Sequence, residues 1–266
     1  MALGRNILMD PLGWYKGVWN AYRSKFFAVV LTVLITIGIG VLPILPIILV
    51  VTAYFMGDAG VAGAFAGSFG LYLIVLFIFG ILLTAVSLGY VFAFKILAFR
   101  GILRGKPDLV SSSKDALKHT PAMLSLLILY GIYILFSILV LFGGTFFLSY
   151  AVATSSAFLA VVFTLALVLF VLFASWVFVR SMWAPVYLVS DGLGVLGALR
   201  KSWTVTGIRL GEAVVGGLSL VAVSIASGFV ANVPLVGSIF VFFFFDPLWD
   251  LLFVAVAEDL GNKSTA

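Results

Sequence analysis

Residues 69–94 read FGLYLIVLFIFGILLTAVSLGYVFAF, and no charged side chain interrupts them. An α-helix rises 1.5 Å per residue, so about 20 residues cross a hydrocarbon core roughly 30 Å thick. The stretch is long enough to span a bilayer, and its apolar side chains cover every face of a helix. Such a helix sits either in a large core or in lipid. Its flanks decide between the two. Lys95 follows at once and Arg100, Arg104 and Lys106 gather beyond it, whereas residues 56–68 before it hold no Lys or Arg.

Five more segments of this kind flank it, at about 26–55, 121–142, 157–179, 210–230 and 235–257. Together they dominate a chain of 266 residues that is 64% hydrophobic and only 9% charged. Soluble domains run near 45–50% apolar and about 25% charged. This composition excludes an ordinary globular enzyme, a disordered chain and a nucleic-acid-binding domain. The expected fold is all-α: a polytopic integral membrane bundle of about six transmembrane helices. With no cysteine, disulfides, thiolate metal sites and cysteine nucleophiles are excluded.

The first apolar segment is too long for a straight crossing. Gly38, Gly40, Pro43 and Pro46 lie inside it, so it reads as one kinked span or as a span with a re-entrant second piece. The basic residues set the parity. They occur at Arg5, Lys16, Arg23 and Lys25; at Lys95, Arg100, Arg104, Lys106, Lys114 and Lys118; at Arg180, Arg200, Lys201 and Arg209; and at Lys263. The intervening connections, about 56–68, 143–156 and 231–234, contain none. Six crossings of the cell membrane with both termini in the cytoplasm put every cation inside, as membrane insertion favours. The N-terminal 25 residues are aromatic and basic, unlike a cleavable leader. The expected divisions are a cytoplasmic amphipathic helix over 1–25, the membrane domain over 26–257 and a cytoplasmic tail over 258–266.

Three connections on the basic side carry helical signals. Asp10-Pro11 reads as a cap with proline at the first helical position, and Leu12, Tyr15, Val18, Trp19 and Tyr22 follow at helical spacing. From Asp191, the residues Leu193, Leu196, Leu199 and Trp203 share a face beside Arg200 and Lys201. A weaker stretch, 108–119, ends at Thr120-Pro121, which reads as the cap of the next span. Asp10-Pro11-Leu12-Gly13 and Asp191-Gly192-Leu193-Gly194 share a D-x-L-G pattern. Either the chain is a threefold repeat of interfacial helix and span pair, or it has three unrelated amphipathic linkers. Trp14, Trp19, Trp183 and Trp203 are the expected headgroup-level anchors.

Asp246 and Asp250, in Phe245-Asp246-Pro247-Leu248-Trp249-Asp250, are the candidate intramembrane polar site. Four residues apart, they share a helix face, and a carboxylate at depth is costly unless paired, protonated or wet. Arg180 and Lys95 are candidate partners. One reading is a polar cavity or a proton- or cation-responsive site. The other is a helix bent at Pro247 that returns Asp250 to the interface, with Asp246 in a structural role.

Arg180, between Trp176 and Trp183, also reads as a snorkelling anchor, and Glu212 as the partner of Arg209. The lone His119 reads as a surface residue, so one chain supplies no bis-histidine haem or histidine-rich zinc site. No phosphate loop or hydrolase motif occurs, and Gly60, Gly63, Gly67 and Gly70 read as packing or turn residues. Small residues in the fifth segment, including Ala213, Gly216, Gly217, Ser219 and Ala222, suit a central helix or a subunit contact. The bulky fourth segment suits lipid.

Residues 176–212, with Trp183, Pro185, Gly192, Ala198 and Ser202, and the later Trp249-Asp250-Leu251, carry a family resemblance. The chain resembles an uncharacterised six-span group similar to the membrane domain of glycerophosphodiester phosphodiesterases. Leu252 stands where that group usually has a basic residue. The resemblance implies a six-helix membrane fold of unassigned role, with Asp250 as a structural end residue, and the chain shows no phosphodiesterase catalytic domain. Two functions are expected as alternatives. One is a non-enzymatic scaffold or accessory subunit, with lipid, a second copy or other membrane subunits as partners and no cofactor, metal or nucleic acid. The other is a transporter or lipid-handling protein that works through Asp246 and Asp250. An intramembrane enzyme is the weakest reading.

Overall fold

The computed structural model describes residues 11–45, 47–48, 52, 68–154, 156–233 and 236–263. Among them every regular element is helical. In chain order these are α1 Pro11–Ser24, α2 Phe26–Val41, α3 Ser68–Leu103, α4 Leu109–Ala153 and α5 Ala157–Ser181. There follow α6 Ala184–Ser190, α7 Val195–Ile208, α8 Leu210–Ala231, α9 Val236–Phe240 and α10 Asp246–Lys263. A 3₁₀ turn, Leu42–Ile44, follows α2, and a π turn, Val241–Phe245, joins α9 to α10. Five helical stretches are long and apolar enough to cross a membrane, and a sixth crossing follows if α1 and α2 count together. The fold is an all-α polytopic membrane bundle.

α1 and α2 meet at 86°, so α1 crosses the end of the bundle instead of prolonging the span. The helix of α2 stops at the 3₁₀ turn, where the Thr84 hydroxyl reaches the Pro43 carbonyl at 3.5 Å. Whether the first segment is one kinked span or a span plus a re-entrant piece depends on residues outside those described. Asp10, which opens the first D-x-L-G stretch, and most of the 56–68 connection also lie outside the described residues.

Three boundaries differ from the sequence reading. Residues 109–119 do not form a separate interfacial helix, and Thr120-Pro121 caps nothing. α4 runs unbroken from Leu109, and its cap is Asp108, whose carboxylate accepts from the Ser111 amide at 2.9 Å. Proline in a helix removes one backbone bond, and here the helix continues past it, with Thr120 bonding back to the Ala116 carbonyl. At its other end α4 extends to Ala153, so the expected 143–156 connection shrinks to a tight turn before α5. Finally, α10 runs through the expected boundary at 257: Leu260 is fully buried and Glu258 is ion-paired. Residues 258–263 are part of the bundle.

α5 is bulky and largely exposed, as a lipid-facing helix should be. Deeply buried residues lie elsewhere, on α3, α4, α6 and the second half of α10. Ala184, Val186, Leu188, Leu251, Leu252, Val256, Ala257 and Leu260 are all closed off. α8 offers α10 one narrow face, Ala213, Gly216, Ser219 and Leu220. Gly216 is what permits that approach. A methyl added there would stand 2.6 Å from Val256 Cγ1 and 3.4 Å from Trp183.

Trp14 and Trp183, expected as headgroup anchors, are core residues instead. Trp183 is closed off between Gly216 and a stacked Phe253 at 5.4 Å. Trp14 is buried, its indole donating to Asp259 at 3.2 Å. Trp19 is exposed, and Trp203 is half-buried. The Leu193–Trp203 stripe also faces differently: Leu196 is exposed, and α7 instead turns Ala198, Ser202, Val205 and Thr206 inward. Small side chains allow close approach, and both hydroxyls are bonded, Ser202 to the Arg180 carbonyl and Thr206 to the Ser202 carbonyl.

Candidate functional site

Lys95 is the first charged residue after the apolar run of α3, and Asp250 follows Pro247 on α10 by less than a turn. The two helices place them together, with Lys95 Nζ 2.6 Å from Asp250 Oδ2 and both side chains mostly shielded. Two turns further along α10, Glu258 accepts from Arg100 Nε at 2.6 Å and from Arg104 Nη2 at 2.9 Å. Partners thus advance in the same sense along both helices, so α3 and α10 run parallel. The Trp14–Asp259 bond then brings both ends of the described chain to this end of the bundle.

Arg100 does more than neutralise Glu258. Its Nη1 donates to the Ser190 carbonyl at 2.9 Å, one of the end carbonyls of α6 that no helical amide reaches. One planar guanidinium therefore ties α3 to α10 and to α6, which the point charge of a lysine does not reproduce. Beside it the Tyr187 hydroxyl donates to the Ala257 carbonyl at 3.0 Å. Lys201 pairs with Asp191 at 2.8 Å and lies 5.1 Å over the Tyr187 ring. α3 closes in the same region with Gly105 at φ +74°, and Lys106 N bonds the Gly101 carbonyl at 2.9 Å. That left-handed glycine ends the helix and turns the chain toward α4.

The four residues of the candidate polar site therefore divide. Lys95 and Asp250 meet. Asp246 lies one turn before Asp250, half-buried and within electrostatic reach of Lys95. Arg180 does not join them. Its guanidinium lies 4.6 Å from the Trp176 ring and 5.6 Å from the Trp203 ring. Trp203, not Trp183, is its second aromatic neighbour. Glu212 pairs with Arg209 at 2.9 Å, as its spacing predicts.

The backbone beside Asp246 is unusual. In an α-helix the Phe243 carbonyl would accept from the amide of residue 247, and residue 247 is proline. The chain widens into a π turn, with the Asp246 amide reaching back to Val241. The orphaned Phe243 carbonyl accepts instead from the Tyr22 hydroxyl on α1, at 2.7 Å. The same device recurs at Pro185, whose missing N–H orphans the Ser181 carbonyl. There the Tyr130 hydroxyl on α4 is the donor.

Sequence reasoning missed Arg100, Arg104, Glu258, Tyr22, Tyr130 and Tyr187. Two signals point to them. Glu258 and Asp259 close a span in a chain whose largest basic cluster closes another. Each proline inside an apolar helix also demands a donor for the carbonyl four residues before it.

This geometry defines an integral membrane helix bundle with one charged end, where ion pairs and side-chain-to-carbonyl bonds join the helices. Comparison with known protein families, curated proteins and solved structures finds no match to the chain. Among the described residues, no three His, Asp or Glu side chains are grouped to hold a metal.

Proposed function

We propose that the chain is a non-enzymatic scaffold or accessory subunit of a membrane assembly, seated in the cell membrane with its charged end in the cytoplasm. One observation carries this reading: the ion pairs at the charged edge of the apolar core join one helix to another. Lys95 answers Asp250, and Arg100 and Arg104 answer Glu258. A working transport site needs groups free to exchange partners.

Native mass spectrometry of the protein extracted in its own lipid tests it. The expected result is an assembly of fixed stoichiometry, either of several copies or with another membrane subunit. A lone chain in every preparation, with a cation or proton flux in vesicles abolished by Asp246→Asn, would overturn it. That flux is what the transporter reading expects, and one observation favours it: Asp246 stands at a π turn, a distortion found often at functional sites.

The orientation has its own test, which the absence of cysteine makes clean. Lys106→Cys, as the single thiol, is expected to resist a membrane-impermeant maleimide in intact cells and to react after lysis. Labelling in intact cells would reverse the topology.

A further inference from the structure

Beyond the charge network, α4, α5 and α7 enclose a cavity of about 590 Å³. Its walls include Tyr130, Tyr133 and Ile134 of α4, Phe178 of α5, and Arg200 and Trp203 of α7. Leu129, Ile134 and Phe178 are exposed, so it opens sideways to the surroundings of the bundle.

Two features describe what fits. The first is the wall. Both tyrosine hydroxyls are already donating to backbone, Tyr130 to the Ser181 carbonyl and Tyr133 to the Ala174 carbonyl at 2.6 Å. Neither has a proton left to donate to a ligand oxygen, and the wall presents hydrocarbon and ring faces. Ala174 lies about 10 Å below Ser181 along α5, so the groove runs down from the charged end into the apolar depth.

The second is the mouth. Arg200 lines it, and among the described residues no carboxylate pairs with Arg200 or with Arg180. Lys16, Arg23, Lys25, Lys106 and Lys114 also have no carboxylate partner among the described residues, but none of them lines this cavity as Arg200 does. Arg180 touches Trp203, a wall of the groove, and its buried Nε makes no hydrogen bond. Two uncompensated guanidinium groups thus flank one tryptophan at the top of an apolar slot.

We propose that this groove seats one anionic phospholipid from the leaflet adjoining the charged end. Its acyl chain lies against Tyr130, Tyr133 and Ile134, and its phosphate is held by Arg200 in the field of Arg180. Basic pockets between membrane helices suit anionic head groups, and an arginine fork matches phosphate oxygens. The site is separate from the scaffold reading, which survives its failure.

The test titrates delipidated full-length protein with phosphatidylglycerol or phosphatidylcholine of identical chains, read by native mass spectrometry. One phosphatidylglycerol per chain is expected to be retained, and phosphatidylcholine more weakly. Arg200→Gln should lower phosphatidylglycerol retention about fivefold, the worth of one cation at an anionic lipid surface, and Arg200→Lys, which keeps the charge without the fork, should lower it less. Ile134→Trp, which fills the slot from an exposed position, should abolish retention of both lipids with unchanged melting. Leu129→Trp replaces it if that variant fails to fold. Equal retention of the two lipids, no effect of Arg200→Gln, or a lipid-free dimer dissociated by Ile134→Trp would each overturn the proposal.

Discussion

Asp250→Ala is expected to destabilise the protein by about 3 kcal/mol, and Lys95→Ala by a similar amount. Neither variant merely deletes an attraction. Each leaves the opposite charge mostly shielded from water among apolar helices, and stranding one partner of a buried pair costs about 3–5 kcal/mol. The residual exposure of both side chains places this pair at the low end. Replacing both residues by apolar ones of similar shape, as in Lys95→Met with Asp250→Leu, strands no charge and should recover most of the loss. Denaturant unfolding in detergent micelles measures all three variants. Single variants that each cost less than about 1 kcal/mol, adding simply in the double variant, would mark an ordinary solvated pair. The Arg100–Glu258–Ser190 junction two turns on should remain intact throughout, because it joins the same helices through separate atoms.

That pair shows how far the sequence reached. Lys95 and Asp250 were both legible, because a charge at the edge of an apolar run demands a partner and few candidates exist. The pairing itself was not, since it depends on α3 and α10 being parallel neighbours, a choice made by packing. Gly216 shows the rule behind that choice. The run of small residues marked α8 as a close-packing helix, but only the facing Val256 and Trp183 say where. Trp183 misled for the same reason. A tryptophan beside Arg180 at the end of a span has the spacing of an interfacial anchor. Yet α5 ends at Ser181, and the mostly apolar helix that follows, with Pro185 in its first turn, carries Trp183 inward. Apolar residues on every face of α6 were the available sign of that burial. Charge bias, by contrast, was legible over the whole chain, because it depends on counting and not on contacts.

Tyr22→Phe is expected to cost about 2 kcal/mol, although it removes a single oxygen. The aromatic packing should survive, because the ring contacts to Trp19 at 5.9 Å, Phe26 at 5.7 Å and Phe244 at 5.7 Å do not involve the hydroxyl. What is lost is the donor to the Phe243 carbonyl, and a shielded carbonyl without a partner costs about 1–3 kcal/mol. Pro247 offers a sharper test. If the proline is why the carbonyl needs Tyr22, then Pro247→Ala restores an amide at that position and frees the carbonyl from its dependence. In that background Tyr22→Phe should cost less than about 0.5 kcal/mol, giving a coupling above about 1 kcal/mol for two residues on different helices. Unfolding of the four proteins of this cycle decides it. Equal costs of Tyr22→Phe in both backgrounds would mean that the hydroxyl acts elsewhere and that the π turn resolves the proline alone. A positive coupling would make α1 a brace for the distorted backbone beside Asp246. The interfacial helix would then set the shape of the last span.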